Sequence, residues 1–155
     1  MSLKGKTVFI TGGSRGIGAA TAQALGAAGA HVVLTARTAK GLETVEESIH
    51  DSGGSATIAP LDLTDGDSIG RLANAVAGRW DALDLLVLNA AMLGSLTPVP
   101  HIDPKELGRV MTLNVSAQAT MIAAFDTMLR ASSDARVIGL TSSVGRTPRA
   151  YWGAY

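Results

Sequence analysis

Short, continuously apolar runs alternate along this chain with longer segments of helical period. A strand that is apolar on both faces needs cover on both sides, so the pattern predicts βαβ units around a buried parallel sheet. The expected fold class is therefore α/β, with helices on both faces of the sheet. The predicted strands are residues 7–11, 31–36, 56–60, 83–89 and 136–141. The predicted helices are residues 17–28, 39–52, 67–79 and 104–131.

Length and charge narrow the class of protein. A chain of 155 residues can form one domain with its own core, and no repeat or linker interrupts the sequence, so we expect residues 1–155 to form a single domain. The 13 basic residues are balanced by 13 acidic ones, which leaves no excess positive charge to hold nucleic acid or anionic lipid. Neither nucleic acid nor a membrane surface is an expected partner.

The chain contains no cysteine, which excludes disulfide bonds, thiolate metal sites and a cysteine nucleophile. No metal site is expected, and the composition fits a reducing compartment, with the cytoplasm as the default localisation. The N-terminal residues, Met1 to Lys6, precede a short apolar strand and include no long apolar stretch. We therefore expect neither a signal peptide nor a membrane span.

Two of the predicted helices begin with capping signals. Thr64 and Asp67 resemble a capping pair, because the hydroxyl can accept a backbone N–H and the carboxylate lies near the positive end of the helix dipole. Asp103 followed by Pro104 predicts the start of the last helix, since a proline at the first helical position loses no intrahelical hydrogen bond.

The first predicted strand runs directly into a glycine-rich turn. This turn reads TGGSRGIG, residues 11–18, and a helix follows it. A backbone can approach a phosphate closely only where side chains are missing, and the amides at a helix N-terminus supply hydrogen-bond donors. A glycine triplet alone is as often a tight turn, but its position in the first βαβ unit favours a dinucleotide site. The candidate cofactor-binding residues of the turn are Gly12, Ser14, Arg15, Gly16, Ile17 and Gly18.

The spacing of these glycines, Thr-Gly-x3-Gly-x-Gly, resembles that of the short-chain dehydrogenase/reductase family in its one-domain branch. Sugar-nucleotide epimerases of the extended branch usually space the glycines differently. The resemblance covers essentially the whole chain and implies a Rossmann-like, doubly wound parallel sheet with strand order 3-2-1-4-5. It also implies an oxidoreductase that transfers a hydride between a nicotinamide cofactor and a carbonyl or alcohol substrate, commonly as a homo-oligomer.

Charged residues after the second and third strands bear on the choice of cofactor. Arg37 directly follows the second strand without an acid beside it, and a guanidinium there favours a 2′-phosphate over a free ribose hydroxyl. Arg15 can close on the same phosphate; either arginine alone is more often a surface cation, but together they favour NADP(H). Asp62 and Leu63 match the family's pair for the adenine, the alternative being that Asp62 forms a turn beside Thr64.

Two asparagines occupy positions that matter in the family. Residues 88–91, LNAA, stand where the family usually has Asn-Asn-Ala-Gly, so Asn89 and Ala90 carry over and the flanking positions differ. We expect Asn89 to tie neighbouring strands together near the cofactor, because a buried asparagine needs hydrogen-bond partners. For Asn114, the resemblance implies a local interruption of the helix and a water held in a proton relay. The alternative is a satisfied polar group in a helix interface.

The candidate catalytic pair stands at the end of the chain. In the family, a serine at the end of the fifth strand works with a tyrosine on the next helix, and alignment of the strand selects Ser142 over Ser143. Tyr155 lies 13 residues after Ser142, the family's usual spacing, whereas Tyr151 lies only nine residues after it. The resemblance implies that Tyr155 donates a proton to a carbonyl oxygen that Ser142 fixes, with Asn114 feeding the proton relay.

The family's next catalytic residue, a lysine one helical turn after the tyrosine, falls beyond residue 155, as do two further strands. We therefore expect an incomplete domain that is inactive as given, within an active parent protein. One alternative is a non-catalytic NADP-binding module, such as a sensor or regulatory subunit, if 155 residues is the natural length. A structural α/β interaction domain is a further alternative, but it leaves the glycine turn unexplained. The identity of the substrate does not follow from the fold.

Overall fold

The computed structural model describes residues 2–155, so Met1, the first residue of the N-terminal segment considered above, lies outside it. Five parallel strands form one sheet in the order β3-β2-β1-β4-β5, as predicted. The strands are β1 (Thr7–Thr11), β2 (His31–Thr35), β3 (Ser55–Ile58), β4 (Leu85–Leu88) and β5 (Arg136–Gly139). All five predicted strands are therefore present, with ends that shift by at most two residues.

Helices connect the strands in the expected crossover pattern. They are α1 (Gly16–Ala27), α2 (Ala39–Asp51), α3 (Gly66–Ala77), α4 (Pro104–Met111) and α5 (Ala117–Ala131). Short 3₁₀ turns lie at Val99–His101 and Ser143–Gly145. Within residues 2–155, none of the helices combines the length and the apolar character needed to cross a bilayer.

The single helix predicted at residues 104–131 is divided into two. Between α4 and α5 lies a π-helical segment, Thr112–Ser116, which is called the π segment below. Asn114 lies at its centre, so the helix is interrupted where the resemblance implied. Insertion of a π turn changes the direction in which side chains leave a helix, and such turns often occur at functional sites.

Alternate residues of the central strand enter different cores. Val8 and Ile10 of β1 pack with α1 and α2 on one face of the sheet, whereas Phe9 packs with α3 and α5 on the other. The ring centroids of Phe9 and Phe125 lie 4.9 Å apart in the second core. The expected cover on both faces is therefore present around β1, as the two-residue period of a strand requires.

Strand β5 differs from the expectation that every strand is buried. Val137 and Ile138 remain 43% and 49% exposed. Within residues 2–155, β5 pairs with β4 alone, and all four of its residues are exposed. The expectation of a strand without a solvent-facing side, drawn from apolar composition, is wrong here, whereas the exposed apolar edge expected when the family's two further strands lie beyond residue 155 is present.

The start of α3 also differs from the prediction. Asp65, directly before the helix, accepts hydrogen bonds from the backbone N–H of Asp67 at 3.1 Å and of Ser68 at 3.3 Å. The predicted cap by the Thr64 hydroxyl is wrong, because this hydroxyl donates instead to Oδ1 of Asp62 at 2.8 Å. Asp67 does lie in the first turn of α3, near the positive end of the helix dipole, as predicted. The residue closest to the first turn therefore supplies the cap.

The start of α4 agrees with the prediction. Asp103 accepts a hydrogen bond from the backbone N–H of Lys105 at 3.0 Å, and Pro104 occupies the first turn. This cap fixes the beginning of the helical element that continues into the π segment.

Asp84 joins three segments at the amino-terminal ends of β1 and β4. Its carboxylate accepts hydrogen bonds from Lys6 Nζ and the Thr7 backbone N–H, both at 2.9 Å, and from the Ser132 hydroxyl at 2.7 Å. Burial alone would raise the pKa of Asp84, but these hydrogen bonds and the Lys6 charge outweigh burial and hold the pKa below its ordinary value. The ionised carboxylate thus connects the start of β1, the segment before β4 and the turn after α5.

Candidate active site

Two clefts share a wall at the carboxyl ends of the strands. The larger cleft, of about 1010 Å³, is lined by the glycine turn and by residues that follow β2, β3 and β4. The smaller cleft, of about 250 Å³, is lined by residues that follow β4 and β5, by the π segment and by Tyr155. Ala90 and Ala91 line both clefts. Ligands of doubly wound sheets bind at this edge, where the strand order reverses beside β1.

The glycine turn is closely packed on one side and open on the other. A β-carbon on Gly18 would contact the carbonyl oxygen of Gly12 and would lie 2.5 Å from Nδ2 of Asn89. Gly16 has φ +57°, and a β-carbon there would meet no described atom within 4 Å. Gly18 therefore permits the close approach of α1 to β4, whereas Gly16 leaves the backbone accessible at the start of the helix.

Four of the six predicted residues of the glycine turn line the large cleft, and two do not. The turn residues that line the large cleft are Gly12, Ser14, Arg15 and Gly16. Gly18 is buried behind them, as expected of a glycine that lets the helix pack onto the sheet. The side chain of Ile17 is 66% exposed and does not contribute to the lining of either cleft.

Asn89 ties the end of β4 to the end of β1, as expected from the sequence. Its Nδ2 donates to the carbonyl oxygens of Thr11 at 2.9 Å and of Gly12 at 3.1 Å. The Thr11 hydroxyl accepts from the backbone N–H of Asn89 at 2.9 Å and of Ala90 at 3.0 Å, and it donates to the Val87 carbonyl oxygen at 3.3 Å. Thr11 was not predicted as part of this tie, although a hydroxyl at the end of a buried strand requires partners.

Both predicted arginines line the large cleft, and both are exposed. Asp62 lines the same cleft, with Leu63 buried beside it. Hydrogen bonds from the backbone N–H and the hydroxyl of Thr64, at 2.9 and 2.8 Å, hold the pKa of Asp62 below its ordinary value. The positive charge of Arg37 lowers this pKa further, so Asp62 is an ionised turn residue within electrostatic reach of Arg37.

A third cation, Arg109, lines the large cleft from the last turn of α4. It takes part in none of the ion pairs within residues 2–155. No motif marks Arg109 in the sequence, and it reaches the cleft only because α4 packs beside the residues that follow β4. Met92 and Leu113 line the cleft as well.

Asn114 lines the small cleft and holds the loop after β4. Its Oδ1 accepts from the backbone N–H of Met92 at 2.9 Å, and its Nδ2 donates to the Met92 carbonyl oxygen at 2.8 Å. Both ends of the side-chain amide are therefore engaged by one residue. These two bonds compensate for the low helix propensity of asparagine.

Ser142 and Tyr155 line the small cleft together with Asn114, so the structure brings the three predicted catalytic residues to one place. Ser142 is half-buried and precedes a 3₁₀ turn, where its Oγ accepts from the backbone N–H of Val144 at 3.5 Å. Tyr155 is 40% exposed. Tyr151, the other tyrosine in this segment, is 59% exposed and lies outside the lining.

The sequence matches the family model of the short chain dehydrogenases over residues 6–155. The chain belongs to this family. An uncharacterised oxidoreductase of Mycobacterium tuberculosis is 37% identical over 161 residues, which cover 99% of this chain and 46% of that protein. This short-chain dehydrogenase chain thus spans about half the length of that relative.

Solved structures of other short-chain dehydrogenases have the same fold. One from Pseudomonas syringae is 38% identical, with a TM-score of 0.95 over 99% of this chain and 63% of its own. A metagenomic short-chain oxidoreductase in complex with NADP is 36% identical, with a TM-score of 0.95 over 100% of this chain and 70% of its own. At such identities the likeness extends beyond the fold to the family.

The large cleft of this short-chain dehydrogenase has the size and the backbone donors for a dinucleotide. Its volume is in the range of small-molecule sites, and the exposed backbone at Gly16 offers helix N-terminal amides to a diphosphate. Arg15 and Arg37 place two guanidinium groups in the same cleft, where they can pair with anionic groups. Within residues 2–155, no cluster of His, Asp and Glu side chains has the arrangement needed to hold a metal ion.

Proposed function

We propose that the protein containing this chain transfers a hydride between NADP(H) and a carbonyl or alcohol substrate. The observation that carries the proposal is the relation of the two clefts. The large cleft, with the glycine turn and the arginines, shares Ala90 and Ala91 with the small cleft, which Asn114, Ser142 and Tyr155 line. A dinucleotide in the large cleft can therefore extend its reactive end into the small one.

Arg37 and Arg15 support NADP(H) over NAD(H). Both side chains are exposed on the cleft that also contains Asp62, whose neighbour Leu63 is buried. In the proposal, Asp62 accepts a hydrogen bond from the adenine amino group, and the two guanidinium groups pair with the 2′-phosphate. A relative that is 36% identical to this chain has been solved in complex with NADP, which favours the same assignment.

Ser142 and Tyr155 carry the proton chemistry of the proposal. When bound, the nicotinamide supplies or accepts the hydride. The Ser142 hydroxyl donates a hydrogen bond to the carbonyl oxygen of the substrate and orients it. The Tyr155 phenol donates a proton to that oxygen during reduction and takes one back during oxidation, as a general acid or base. In the proposal, Asn114 helps to hold a water of the proton relay that serves Tyr155, the role that the family resemblance implies.

The test is an assay of the natural full-length protein with NADPH and a panel of ketones and aldehydes. Consumption of NADPH that depends on the carbonyl compound, with conversion to the alcohol, is the expected result. Tight NADPH binding without turnover of any of these ketones and aldehydes would instead favour the non-catalytic module. Absence of specific dinucleotide binding would exclude both functions.

A further inference from the structure

Gln118, the second residue of α5, connects two backbone segments that lie far apart in the sequence. Its Nε2 donates to the carbonyl oxygen of Ala90 at 2.8 Å and to that of Leu113 at 3.0 Å. Ala90 belongs to the loop after β4, and Leu113 to the π segment. One side-chain nitrogen thus uses both of its hydrogens to hold the loop against the interrupted helix.

The other end of this side chain shows what fixes its orientation. Gln118 Oε1 is buried and has no hydrogen-bond partner among the described residues. Rotation of the amide by half a turn would place Oε1 against two carbonyl oxygens, which cannot donate to it. The side chain therefore keeps an unpaired acceptor in order to donate twice, and the two bonds to Ala90 and Leu113 determine its position.

These contacts lie at the boundary of the two clefts. Gln118 lines the small cleft, Leu113 lines the large one, and Ala90 lines both. Asn114, one helical turn before Gln118, holds Met92 through two further hydrogen bonds. Residues 90–92 are thus held at their first and last members by two side chains from one helical face.

We propose that Gln118 is a positioning residue that fixes residues 90–92 against the π segment and so aligns the large cleft with the small one. The proposal rests on the proposed function, because alignment matters only if a cofactor and a substrate meet across this wall. In the proposal Gln118, although it lines the small cleft, does not act on the reacting atoms, because both hydrogens of its Nε2 are already donated to backbone carbonyl oxygens. It acts through the backbone of Ala90 and Leu113.

The first test is Gln118→Met in the full-length protein, since methionine has a similar length and no donor. We expect faster amide hydrogen exchange in residues 90–92 and 112–118, and a kcat reduced by about tenfold to a hundredfold, the scale of a misplacement of about 1 Å. NADPH affinity and KM should change by less than about threefold, because the groups proposed to hold the phosphates stay in place. Gln23→Met is the matched control, because it removes an exposed hydrogen bond to Ser48 on the surface of α1.

The second test is Gln118→Glu, which makes the positioning role titratable. A carboxylate cannot donate to Ala90 and Leu113, whereas the protonated acid can donate to one of them. Among residues 2–155, the lining of the small cleft contains no Asp, Glu, His, Lys or Arg, and Tyr155 is its one ionisable residue. We therefore expect kcat of Gln118→Glu to rise, and exchange in residues 90–92 to slow, as pH falls toward the pKa of the introduced acid. Wild type and Gln118→Met should lack this increase.

The outcomes separate this proposal from the proposed function. Unchanged exchange and unchanged kcat in Gln118→Met, with wild type active, would overturn the positioning role. Equal losses of kcat in Gln118→Met and Gln118→Glu at every pH, together with lowered thermal stability, would also overturn the positioning role. In that case kcat of Gln118→Glu would not recover at low pH, and a general packing defect would explain both variants. If wild type neither binds NADPH nor reduces carbonyls, the proposed function fails, and hydrogen exchange alone then decides whether Gln118 holds the loop.

Discussion

Asn89 fills the space that a side chain on Gly18 would need. The Asn89 amide nitrogen lies 2.5 Å from the position of the missing β-carbon, and it is held there by hydrogen bonds to the carbonyl oxygens of Thr11 and Gly12. The end of β4, the end of β1 and the start of α1 therefore meet in one close contact. Any group added at Gly18 must displace the Gly12 carbonyl oxygen and a half-buried, hydrogen-bonded amide rather than a flexible side chain.

Gly18→Ala is expected to destabilise the protein by about 1 to 3 kcal/mol, the usual cost of overpacking. NADPH affinity should fall with it, because the turn and α1 would move together. The matched control is Gly70→Ala in α3, where a β-carbon would meet no described atom within 4 Å. That change should stabilise the protein by about 0.5 to 1 kcal/mol. Urea unfolding and NADPH titration of both variants measure the difference, and equal stabilities would contradict the contact.

Arg37→Asp is expected to reverse the preference between NADPH and NADH. A charge-assisted hydrogen bond contributes about 1.5 to 3 kcal/mol, so its loss should weaken NADPH binding by about tenfold or more. Lys40→Asp makes the same change of charge at an exposed position outside the cleft lining, and it should leave the order of affinities intact. Equal affinity of the wild type for both cofactors would remove Arg37 and Arg15 from the assignment.

Tyr155→Phe should lower kcat in the full-length protein by about a hundredfold to ten-thousandfold, the range of a lost general acid. Ser142→Ala should also reduce kcat, since the carbonyl oxygen would lose its hydroxyl partner. Tyr151→Phe is the control, because Tyr151 lies outside the small-cleft lining. Undiminished turnover by Tyr155→Phe would exclude Tyr155 from the mechanism.

Asp84→Asn should cost stability at neutral pH and little in acid. The folded protein lowers the pKa of Asp84, so it binds fewer protons than the unfolded chain, and the stabilisation is present above the unfolded pKa and lost as pH falls through the folded one. Hydrogen bonds to a charged group contribute about 1.5 to 3 kcal/mol, which sets the expected loss near pH 7.

The free energy of unfolding of Asp84→Asn and of wild type, measured at several pH values, checks the direction of this pH dependence. The two free energies should converge as pH falls below about 4. Asp126→Asn is the control. Asp126 pairs with Arg130 at 2.8 Å one helical turn away and both side chains are exposed, so its loss should change the free energy of unfolding little at any of these pH values. A constant difference between Asp84→Asn and wild type down to acid pH would contradict an ionised Asp84.

The long helical element is expected to mediate self-association of the full-length protein. Leu107, Met111 and Ile122 are 36%, 49% and 41% exposed along it, and pliable apolar side chains favour helix contact. Ile122→Glu should shift the sedimentation coefficient toward the monomer, whereas Thr127→Glu, at an exposed polar position of α5, should not. A wild type that sediments as a monomer at every concentration would contradict the expectation.

The sheet could be predicted because its strands are continuously apolar and its turns contain glycine. The position of Asn89 could also be predicted, since it follows a buried strand at the reversal of strand order. The exposure of β5 could be expected only from the family resemblance, which puts two further strands beyond residue 155, because the same apolar residues suit a strand with or without covering neighbours. Thr64, Asp65 and Asp67 are all competent helix caps, and composition does not rank three acceptors that stand so close together.

Two residues beside the wall between the clefts, Gln118 and Arg109, could not be predicted from the sequence. Gln118 donates to a carbonyl oxygen 28 residues away, and no spacing in the chain encodes that contact. Arg109 enters the large cleft through the packing of α4, not through a motif. Both residues depend on where backbone segments meet in three dimensions, whereas the glycine turn is marked by its local residue types.

Arg109 gives the large cleft a third guanidinium group, although the chain as a whole has 13 basic and 13 acidic residues. Asp62 is the one acidic residue in this lining within residues 2–155, against three arginines. The electrostatic potential inside the cleft is therefore positive, although the chain has no net charge. Local fields of this kind speed the arrival of ions of opposite charge, and salt screens them over about 10 Å at 0.1 M ionic strength. Capture of an anionic dinucleotide should therefore slow as ionic strength rises, a salt dependence that the net charge does not reveal.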